Sequence, residues 1–355
     1  MASGGVAAAS AAADPVRRGR ALAFPRDHGA HPGQRTEWWY ATGWLRADGD
    51  AALWGFQLTF FRSRTGLADT LRSRFAARQL LFAHAAVTDI ASQRHLHADR
   101  VARWSGDEAS GLRARAASSD TGVWLNGWQL VRSAPAAAAD YAAQIDADGF
   151  GLSLHLVPSQ PVLLQGDAGF SRKGPEERQA SHYYSQPQLA ASGRLGIEGV
   201  LRNVRGRAWL DHEWSDELLH PQAVGWDWIG INLDDGSALT AFRLRRADGS
   251  ALWAGGSFRP AGGTVRTFDA TSVRFTPGRQ WRSPGSNAAY PVEWLIATPS
   301  GAYALRALMD AQELDSRAST GTAYWEGLSE LLDTQGRRVG LGYLEMTGYA
   351  GTLRL

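Results

Sequence analysis

The sequence predicts an all-β protein built from two similar units. Short extended stretches alternate with turn residues along nearly the whole chain, and long amphipathic helices are hard to find. Three sequence patterns of the first half recur in the same order in the second half, which indicates a duplicated β unit. With 355 residues, the chain is long enough for two domains.

The first twenty residues predict a flexible tail. They are rich in Ala, Gly and Ser, end in three arginines and show no apolar periodicity. The tail lacks the cationic start and long apolar centre of an intact signal peptide, but its alanine run before Asp14 is typical of a cleavage region. We therefore expect residues 1–20 to derive from a trimmed export signal, which predicts a periplasmic or secreted protein.

Strand candidates follow the tail in order. The pattern becomes extended at Thr36, and Asp-Gly pairs at 48–49 and 148–149 are hairpin signals. The Gly-rich run 163–174 lacks the spacing of a phosphate loop and is interpreted as a connection. The other strands predicted in the first half are 53–61, 80–90, 123–131, 141–145, 150–156, 181–185 and 206–214.

The repeat predicts where the chain divides. Pro221 and the polar residues around it interrupt the strand pattern, so we expect domains at 21–218 and 219–355. The matched segments are 39–49 with 228–236, 182–185 with 323–326, and 206–211 with 340–345.

Composition excludes several functions. The chain has no cysteine, so disulfides, zinc–thiolate sites and a catalytic cysteine are excluded. The net charge is only +2 and the arginines are scattered, the densest run being 62–78, so no nucleic-acid partner is expected. No run approaches the roughly 20 apolar residues that span a bilayer.

The most informative stretch is 209–228, which gathers acids and histidines among four tryptophans. On an extended strand, Asp211 and Glu213 share one face, whereas His212 and Trp214 share the other. One face would then line a cavity with titratable groups while the other packs. The alternative is a strand end whose acids are exposed or paired with nearby arginines of neighbouring strands.

Several motifs resemble one known family, the AttH-like proteins, which are related to carotenoid 1,2-hydratase and often named predicted secreted hydrolases. The resemblance covers the chain from Phe24 to the C-terminus and implies two lipocalin-like antiparallel β-barrel domains, export from the cell and relatives that act on apolar substrates. The motifs are DHGAHP at 27–32, TEWWY at 36–40, LQGD at 164–167, FSRKG at 170–174, WLDHEW at 209–214, GWDW at 225–228, YWEG at 324–327 and GYLE at 342–345.

These features predict an apolar, isoprenoid-like ligand and acid-assisted hydration. Adding water to an alkene needs a proton donor, and a carboxyl in apolar surroundings keeps its proton. Aromatic faces stabilise nearby positive charge. The predicted catalytic residues are Asp211, His212, Glu213 and Asp227, with His212 orienting water or relaying a proton. The predicted ligand-binding residues are Trp38, Tyr40, Tyr184, Trp214, Trp226, Trp228 and Trp325.

One segment departs from the hydratase pattern, which places Tyr-x-Asp on the strand beyond His-x-Trp. Residues 239–244 contain neither a tyrosine nor an acid, so the proton donor would have to come from elsewhere, such as Asp211 or Asp227.

Other functions remain open. A non-catalytic carrier of lipophilic ligands would have a cavity with few titratable groups, and a docking module would have no ligand-sized cavity. A secreted hydrolase has only Ser181 beside His182 as a local hint, without a nucleophile elbow.

No cofactor is predicted. His28, His31 and a carboxylate have only weak metal-ligand spacing, so no metal is predicted either. The expected partner is an apolar small molecule, with peripheral membrane association, and the sequence leaves the oligomeric state open.

Overall fold

The structure is a computed structural model that describes residues 15–49, 51–66, 77–108, 113–133, 139–217 and 219–351. Most of the predicted tail, and the arginines at 72 and 74, lie outside these ranges. The described end of the tail contacts the first half, because the Arg18 guanidinium pairs with Asp167 and Glu177.

The first half folds into an antiparallel sheet that curls into a nearly closed barrel, because its end strands β4 and β5 contact each other. The strand order is β4-β3-β2-β1-β13-β12-β9-β8-β7-β6-β5, and β10 and β11 pair with β12. Within the described ranges its strands are β1 (Thr36–Ala47), β2 (Trp54–Arg64), β3 (Gln79–Asp89), β4 (Arg94–Trp104), β5 (Ala114–Ala116), β6 (Gly122–Leu125), β7 (Trp128–Arg132), β8 (Tyr141–Ala147), β9 (Phe150–Val157), β10 (Leu163–Leu164), β11 (Phe170–Arg172), β12 (Ala180–Ile197) and β13 (Val200–Ser215).

The second half forms another antiparallel sheet, in the order β17-β16-β15-β14-β25-β24-β22-β21-β18, with β23 beside β24. Strands β19 and β20 make a separate pair. The strands are β14 (Gly225–Leu233), β15 (Ala238–Arg245), β16 (Ala251–Arg259), β17 (Arg266–Phe268), β18 (Arg274–Pro277), β19 (Gln280–Arg282), β20 (Ala289–Pro291), β21 (Glu293–Thr298), β22 (Gly301–Ala307), β23 (Glu313–Asp315), β24 (Ala323–Leu332) and β25 (Arg338–Met346).

Helical structure is confined, in the described residues, to two short pieces. A 3-10 helix covers Arg26–His28, and one turn of α-helix, α1, covers Arg317–Thr320. The predicted all-β class is confirmed. No helix in the described part of the chain is long and apolar enough to cross a membrane.

The two sheets share a four-strand arrangement, β2-β1-β13-β12 in the first and β15-β14-β25-β24 in the second. The segments matched in the sequence fall on these equivalent strands. One match needs a correction, because the register equates Tyr40, rather than Trp39, with Trp228. Tyr40 lies opposite Asp211, and Trp228 lies opposite Glu345.

Other sequence expectations also need correction. The single strand expected at 123–131 is two strands, because Asn126 and Gly127 both adopt positive φ and form a tight hairpin turn. The run 163–174 contains β10 and β11 rather than a plain connection. The predicted strands at 181–185 and 206–214 are the ends of much longer ones.

The three largest apolar clusters among the described residues organise the molecule. One fills the first barrel and a second fills the core of the other half. A third lies between the halves and joins Tyr40 and Trp209 of the first to Trp228, Phe242 and Tyr343 of the second. The interface is therefore packed with aromatic side chains contributed by both halves.

Hydrogen bonds fix the halves to each other. A bulge in β12 places Gln188 at a positive φ, and its backbone N–H donates to Asn232 Oδ1 at 2.7 Å. The Asn232 amide in turn donates to the Ala208 carbonyl at 3.0 Å. The last strand of the first sheet ends at Ser215 and β14 begins at Gly225, so the predicted boundary at 218/219 falls between the sheets.

Candidate functional site

A cavity of about 330 Å³ lies between the two halves. Its volume is at the small end of the range for small-molecule sites, about 300–1,000 Å³. Trp38 and Tyr40 of β1 line it from the first half, and Trp226 and Trp228 of β14 line it from the second. The wall is therefore mostly aromatic and apolar, and it is interrupted by a small set of carboxyl groups.

Asp211 is a buried carboxyl in this wall, only 3% exposed. Its oxygens accept hydrogen bonds from Tyr183 Oη at 2.7 Å, Ser185 Oγ at 2.5 Å and Trp209 Nε1 at 2.7 Å. No ion pair within the described ranges involves Asp211. Burial, helped by the neighbouring Glu213 carboxylate, raises the pKa of Asp211 to about 7 despite these hydrogen bonds.

Glu213 lines the same cavity but has a cation beside it. The Lys173 ammonium lies 2.9 Å from Glu213 Oε1 and above the rings of Tyr183 and Phe242. The Ser181 hydroxyl donates to the same carboxylate oxygen. Glu213 therefore has a cationic partner, whereas Asp211 has none among the described residues.

A second pair of carboxyls comes from the other half. Glu326 of β24 and Glu345 of β25 face each other across the strands and both line the cavity. Burial and the adjacent Glu345 raise the pKa of Glu326 well above its usual value. Burial raises the pKa of Glu345 to about 8, and the charges of Asp211 and Glu213 add to the shift. The cavity thus holds several carboxyls that favour their protonated form near neutral pH.

The structure places four of the seven predicted ligand-binding residues in this wall: Trp38, Tyr40, Trp226 and Trp228. The other three, Tyr184, Trp214 and Trp325, pack in the apolar cores of the two halves instead. They follow or precede cavity residues by one position, and alternate side chains of a strand point to opposite faces.

Two of the predicted catalytic residues, Asp211 and Glu213, line the cavity, whereas Asp227 and His212 lie elsewhere. Asp227 forms buried ion pairs with Arg243 at 2.7 Å and Arg245 at 2.9 Å. It therefore agrees with the alternative interpretation, in which an acid of this stretch pairs with arginines of neighbouring strands.

His212 belongs to a buried network inside the first barrel. Its Nε2 lies 2.9 Å from Glu37 Oε1, and Arg62 Nε donates to the other oxygen of Glu37 at 2.7 Å. His31 bridges the two carboxylates of Glu37, at 2.7 Å, and Asp27, at 3.0 Å. Although burial opposes it, the charges of Arg62 and His31 hold the pKa of Glu37 well below its usual value.

This network contains a set of donors that could hold a metal. One ligand atom each of His31, Glu37 and His212 lie within 4.8 Å of one another. His31 and a carboxylate, Glu37, of the sequence-based metal candidates belong to it, whereas His28 Nδ1 instead contacts Tyr184 Oη at 2.7 Å. Because Arg62 already neutralises Glu37, the network is satisfied by hydrogen bonds and by this ion pair.

Comparison with known proteins identifies the family. The AttH-like family model matches residues 15–349. The chain belongs to the AttH-like family. An AttH candidate from Nitrosomonas europaea is 46% identical, with a TM-score of 0.86 over 94% of this chain and 99% of that one. The family resemblance of the sequence and the all-β, lipocalin-like fold are thereby confirmed.

More distant structures share the fold. Kievitone hydratase from Nectria haematococca is 12% identical, with a TM-score of 0.69 over 92% of both chains. CghA with Sch210972 is 14% identical, with a TM-score of 0.52 over 88% of both chains. No curated protein matched the sequence.

Sequence reasoning about this AttH-like chain missed Glu326 and Glu345 as site residues. Both lie in motifs that carried the family resemblance and the repeat. The repeat matches Asp211 with Glu345. Had the repeat been used to compare candidate acids as well as to count domains, it would have identified Glu345 as a site residue.

Proposed function

We propose that this AttH-like protein is an enzyme that adds water to a carbon–carbon double bond of an apolar, isoprenoid-like ligand held between its halves. The observation that carries the proposal is Asp211, a buried carboxyl with a pKa of about 7 and no ion-pair partner among the described residues, in an aromatic cavity wall. A carboxyl in this state is a proton donor at neutral pH.

The steps of the proposed reaction follow from the residues that line the cavity. The protonated Asp211 carboxyl transfers its proton to one alkene carbon and leaves a cation on the other. The rings of Tyr40, Trp228 and Phe242 face the cavity and stabilise this charge, by about 0.5–2 kcal/mol for each well-placed ring. A water molecule adds to the cation and returns a proton to Asp211, so the acid is regenerated and one water is consumed.

The cavity favours an enzyme over the alternative functions. A carrier needs a cavity with few titratable groups, yet Asp211, Glu213, Glu326 and Glu345 all line this one. A docking module would have no ligand-sized cavity. A hydratase among the structures that share the fold supports this direction. The proposal includes a periplasmic or secreted location, where an apolar ligand would be delivered from a membrane surface.

The test uses farnesol, a small isoprenoid alcohol, as the probe. Wild-type protein incubated with farnesol in ¹⁸O-labelled water is expected to form a diol carrying one ¹⁸O, measured by mass spectrometry. Asp211→Asn should lower the rate at least about 100-fold, the usual scale of general acid catalysis, while farnesol still quenches tryptophan fluorescence. Asp234→Asn, on an exposed turn, is the matched control. Farnesol binding without ¹⁸O incorporation by the wild type would favour the carrier instead.

A further inference from the structure

A serine–histidine pair lies at the solvent-facing end of the same cavity. His84 of β3 and Ser319 of α1 come from different halves, and His84 Nε2 lies 3.1 Å from Ser319 Oγ. Both residues line the cavity. Ser319 is half-buried and Val101, which also lines the cavity, is 49% exposed, so solvent reaches this end of the cavity.

A third group orients the histidine. His84 Nδ1 lies 2.8 Å from Tyr324 Oη, and Tyr324 in turn lies beside Glu326. When Nδ1–H donates to the tyrosine oxygen, the lone pair of Nε2 is directed at the Ser319 hydroxyl. Burial lowers the pKa of His84 to about 3, so the ring is neutral at neutral pH and its Nε2 lone pair is free of a proton.

We propose that Ser319 is a nucleophile activated by His84, and that this end of the cavity hydrolyses esters of apolar carboxylic acids. A nucleophile and a base within about 2.6–3.2 Å, with the base held by a third group, is the arrangement that nucleophilic catalysis requires. Phe61, Leu80 and Phe82 line the cavity next to the pair and provide an apolar surface for the acyl chain.

The bond changes balance with water as the only co-reactant. Ser319 Oγ attacks the ester carbonyl carbon while its proton passes to His84 Nε2. The C–O bond to the alcohol breaks, and the leaving alcohol takes that proton, which leaves an acyl–serine. Water then attacks the acyl carbon, gives a proton to His84 and releases the acid, and His84 returns the proton to Ser319.

The neighbouring serine and histidine in the sequence do not form such a pair. Ser181 and His182 are adjacent on β12, so their side chains point to opposite faces, and the Ser181 hydroxyl donates to Glu213. His84 and Ser319 are 235 residues apart, so only the folded chain brings them together.

The test is covalent labelling of the full chain with an alkyl fluorophosphonate, which reacts with activated serines. Intact-mass measurement and peptide mapping should show one adduct on Ser319. Ser319→Ala should abolish it, and His84→Gln should slow it at least 100-fold. Ser192→Ala, an exposed serine of β12 that does not line the cavity, should label like the wild type.

Turnover is measured with p-nitrophenyl octanoate, from which the wild type should release nitrophenol in a burst equal to one equivalent of protein. No adduct on the wild type, an adduct on another serine, or an undiminished burst from Ser319→Ala would overturn the proposal. Because Ser319 is only half-buried, loss of folding in that variant is not expected, and thermal unfolding checks it.

The two activities can fail separately. Asp211→Asn should still be labelled on Ser319. Wild-type protein that is labelled on Ser319 but adds no ¹⁸O to farnesol would contradict the hydration alone, and wild-type protein that adds ¹⁸O without a labelled serine would contradict the serine nucleophile alone. Loss of labelling in Asp211→Asn would show that Ser319 depends on the acid and would contradict an independent serine nucleophile.

Discussion

Asp211 of β13 and Glu345 of β25 occupy equivalent positions in the two halves. Asp211 lies opposite Tyr40 of the neighbouring strand, and Glu345 lies opposite Trp228. At these equivalent positions each half presents a carboxyl beside an aromatic ring to the same cavity. Because the duplicated strands meet at this interface, acids with raised pKa values line the cavity from both sides.

The raised pKa of Glu345 predicts that stability falls as the pH rises. The folded protein holds this proton up to about pH 8, whereas an unfolded glutamate loses it near pH 4.5. Between these values the folded state binds more protons, so the free energy of unfolding decreases with pH, by at most roughly 1.4 kcal/mol per pH unit for one proton. Asp211 acts in the same direction, up to about pH 7.

Thermal unfolding between pH 6.5 and 8 separates the effect of the buried carboxyls, Glu326 included, from that of the histidines. The buried histidines with lowered pKa values destabilise the protein only below their normal pKa near 6.5. Wild-type protein should lose stability across the window, and Glu345→Gln should lose distinctly less. The control is Glu198→Gln, which alters an exposed pair with Arg94. A wild-type unfolding temperature that stays constant, or rises, would contradict a raised pKa at Glu345.

Arg62 predicts a strong dependence of stability on one buried ion pair. Its side chain and that of Glu37 are fully buried, and its guanidinium also donates to the carbonyls of His31, at 2.8 Å, and Gln34, at 3.0 Å. Arg62→Met leaves the Glu37 charge without this partner, which should cost about 3–5 kcal/mol in denaturant unfolding. Arg205→Met, which removes an exposed pair with Asp48, should cost less than about 1 kcal/mol.

Comparable losses from the two arginine variants would contradict this account. They would mean that, when Arg62 is absent, water solvates the Glu37 carboxylate or a rearranged His31 pairs with it.

The hairpin of β12 and β13 offers a matched pair of glycine substitutions. A Cβ at Gly206 would lie 1.7 Å from the Trp44 carbonyl oxygen of β1, so Gly206→Ala must push the two strands apart. At Gly196 the nearest atoms are 3.7 Å away, which is ordinary contact. We expect a loss of at least about 2 kcal/mol for the first variant and little change for the second, measured by urea unfolding. Equal effects would show that β1 and β13 separate freely.

Much of the fold could be predicted from the sequence, because turn residues and strand patterns are local signals. Turn pairs such as Asp48-Gly49 lie between β1 and β2, and the repeat matched strands that proved to be topologically equivalent. The split at Asn126-Gly127 was missed, although that dipeptide is itself a hairpin signal. The length of β12 could not be predicted, because its outer part pairs with β9 over residues that carry no strong apolar alternation.

The candidate site could be predicted only in part from the sequence. Alternation along β13 placed Asp211 and Glu213 on one face, and the structure turns that face to the cavity. Which acid is neutral could not be predicted, since that depends on Lys173 lying beside one and not the other. The contact of His84 with Ser319 depends on how the halves pack, and no local pattern encodes it.

Tyr183 should set the pH at which hydration stops. Its hydroxyl donates to Asp211 Oδ2 at 2.7 Å and accepts from Trp228 Nε1 at 3.2 Å. Donation to the ionised carboxylate favours that form, so it holds the pKa of Asp211 below the value that burial alone would give. Hydration needs the protonated acid, so the wild-type rate should fall as the pH rises through about 7.

Tyr183→Phe removes this donor, and the pKa of Asp211 should rise. Since a hydrogen bond to a charged group contributes about 1.5–3 kcal/mol and one pKa unit is about 1.4 kcal/mol, the descending limb of the pH–rate profile should move up by about one to two units. The measurement is farnesol hydration in ¹⁸O-labelled water from pH 5 to 10, with Tyr290→Phe, in the core of the second half, as control. A descending limb that stays in place in Tyr183→Phe would mean that a group other than Asp211 governs the rate. Glu345 would then be the first alternative proton donor, because its pKa of about 8 would place the descending limb at a higher pH.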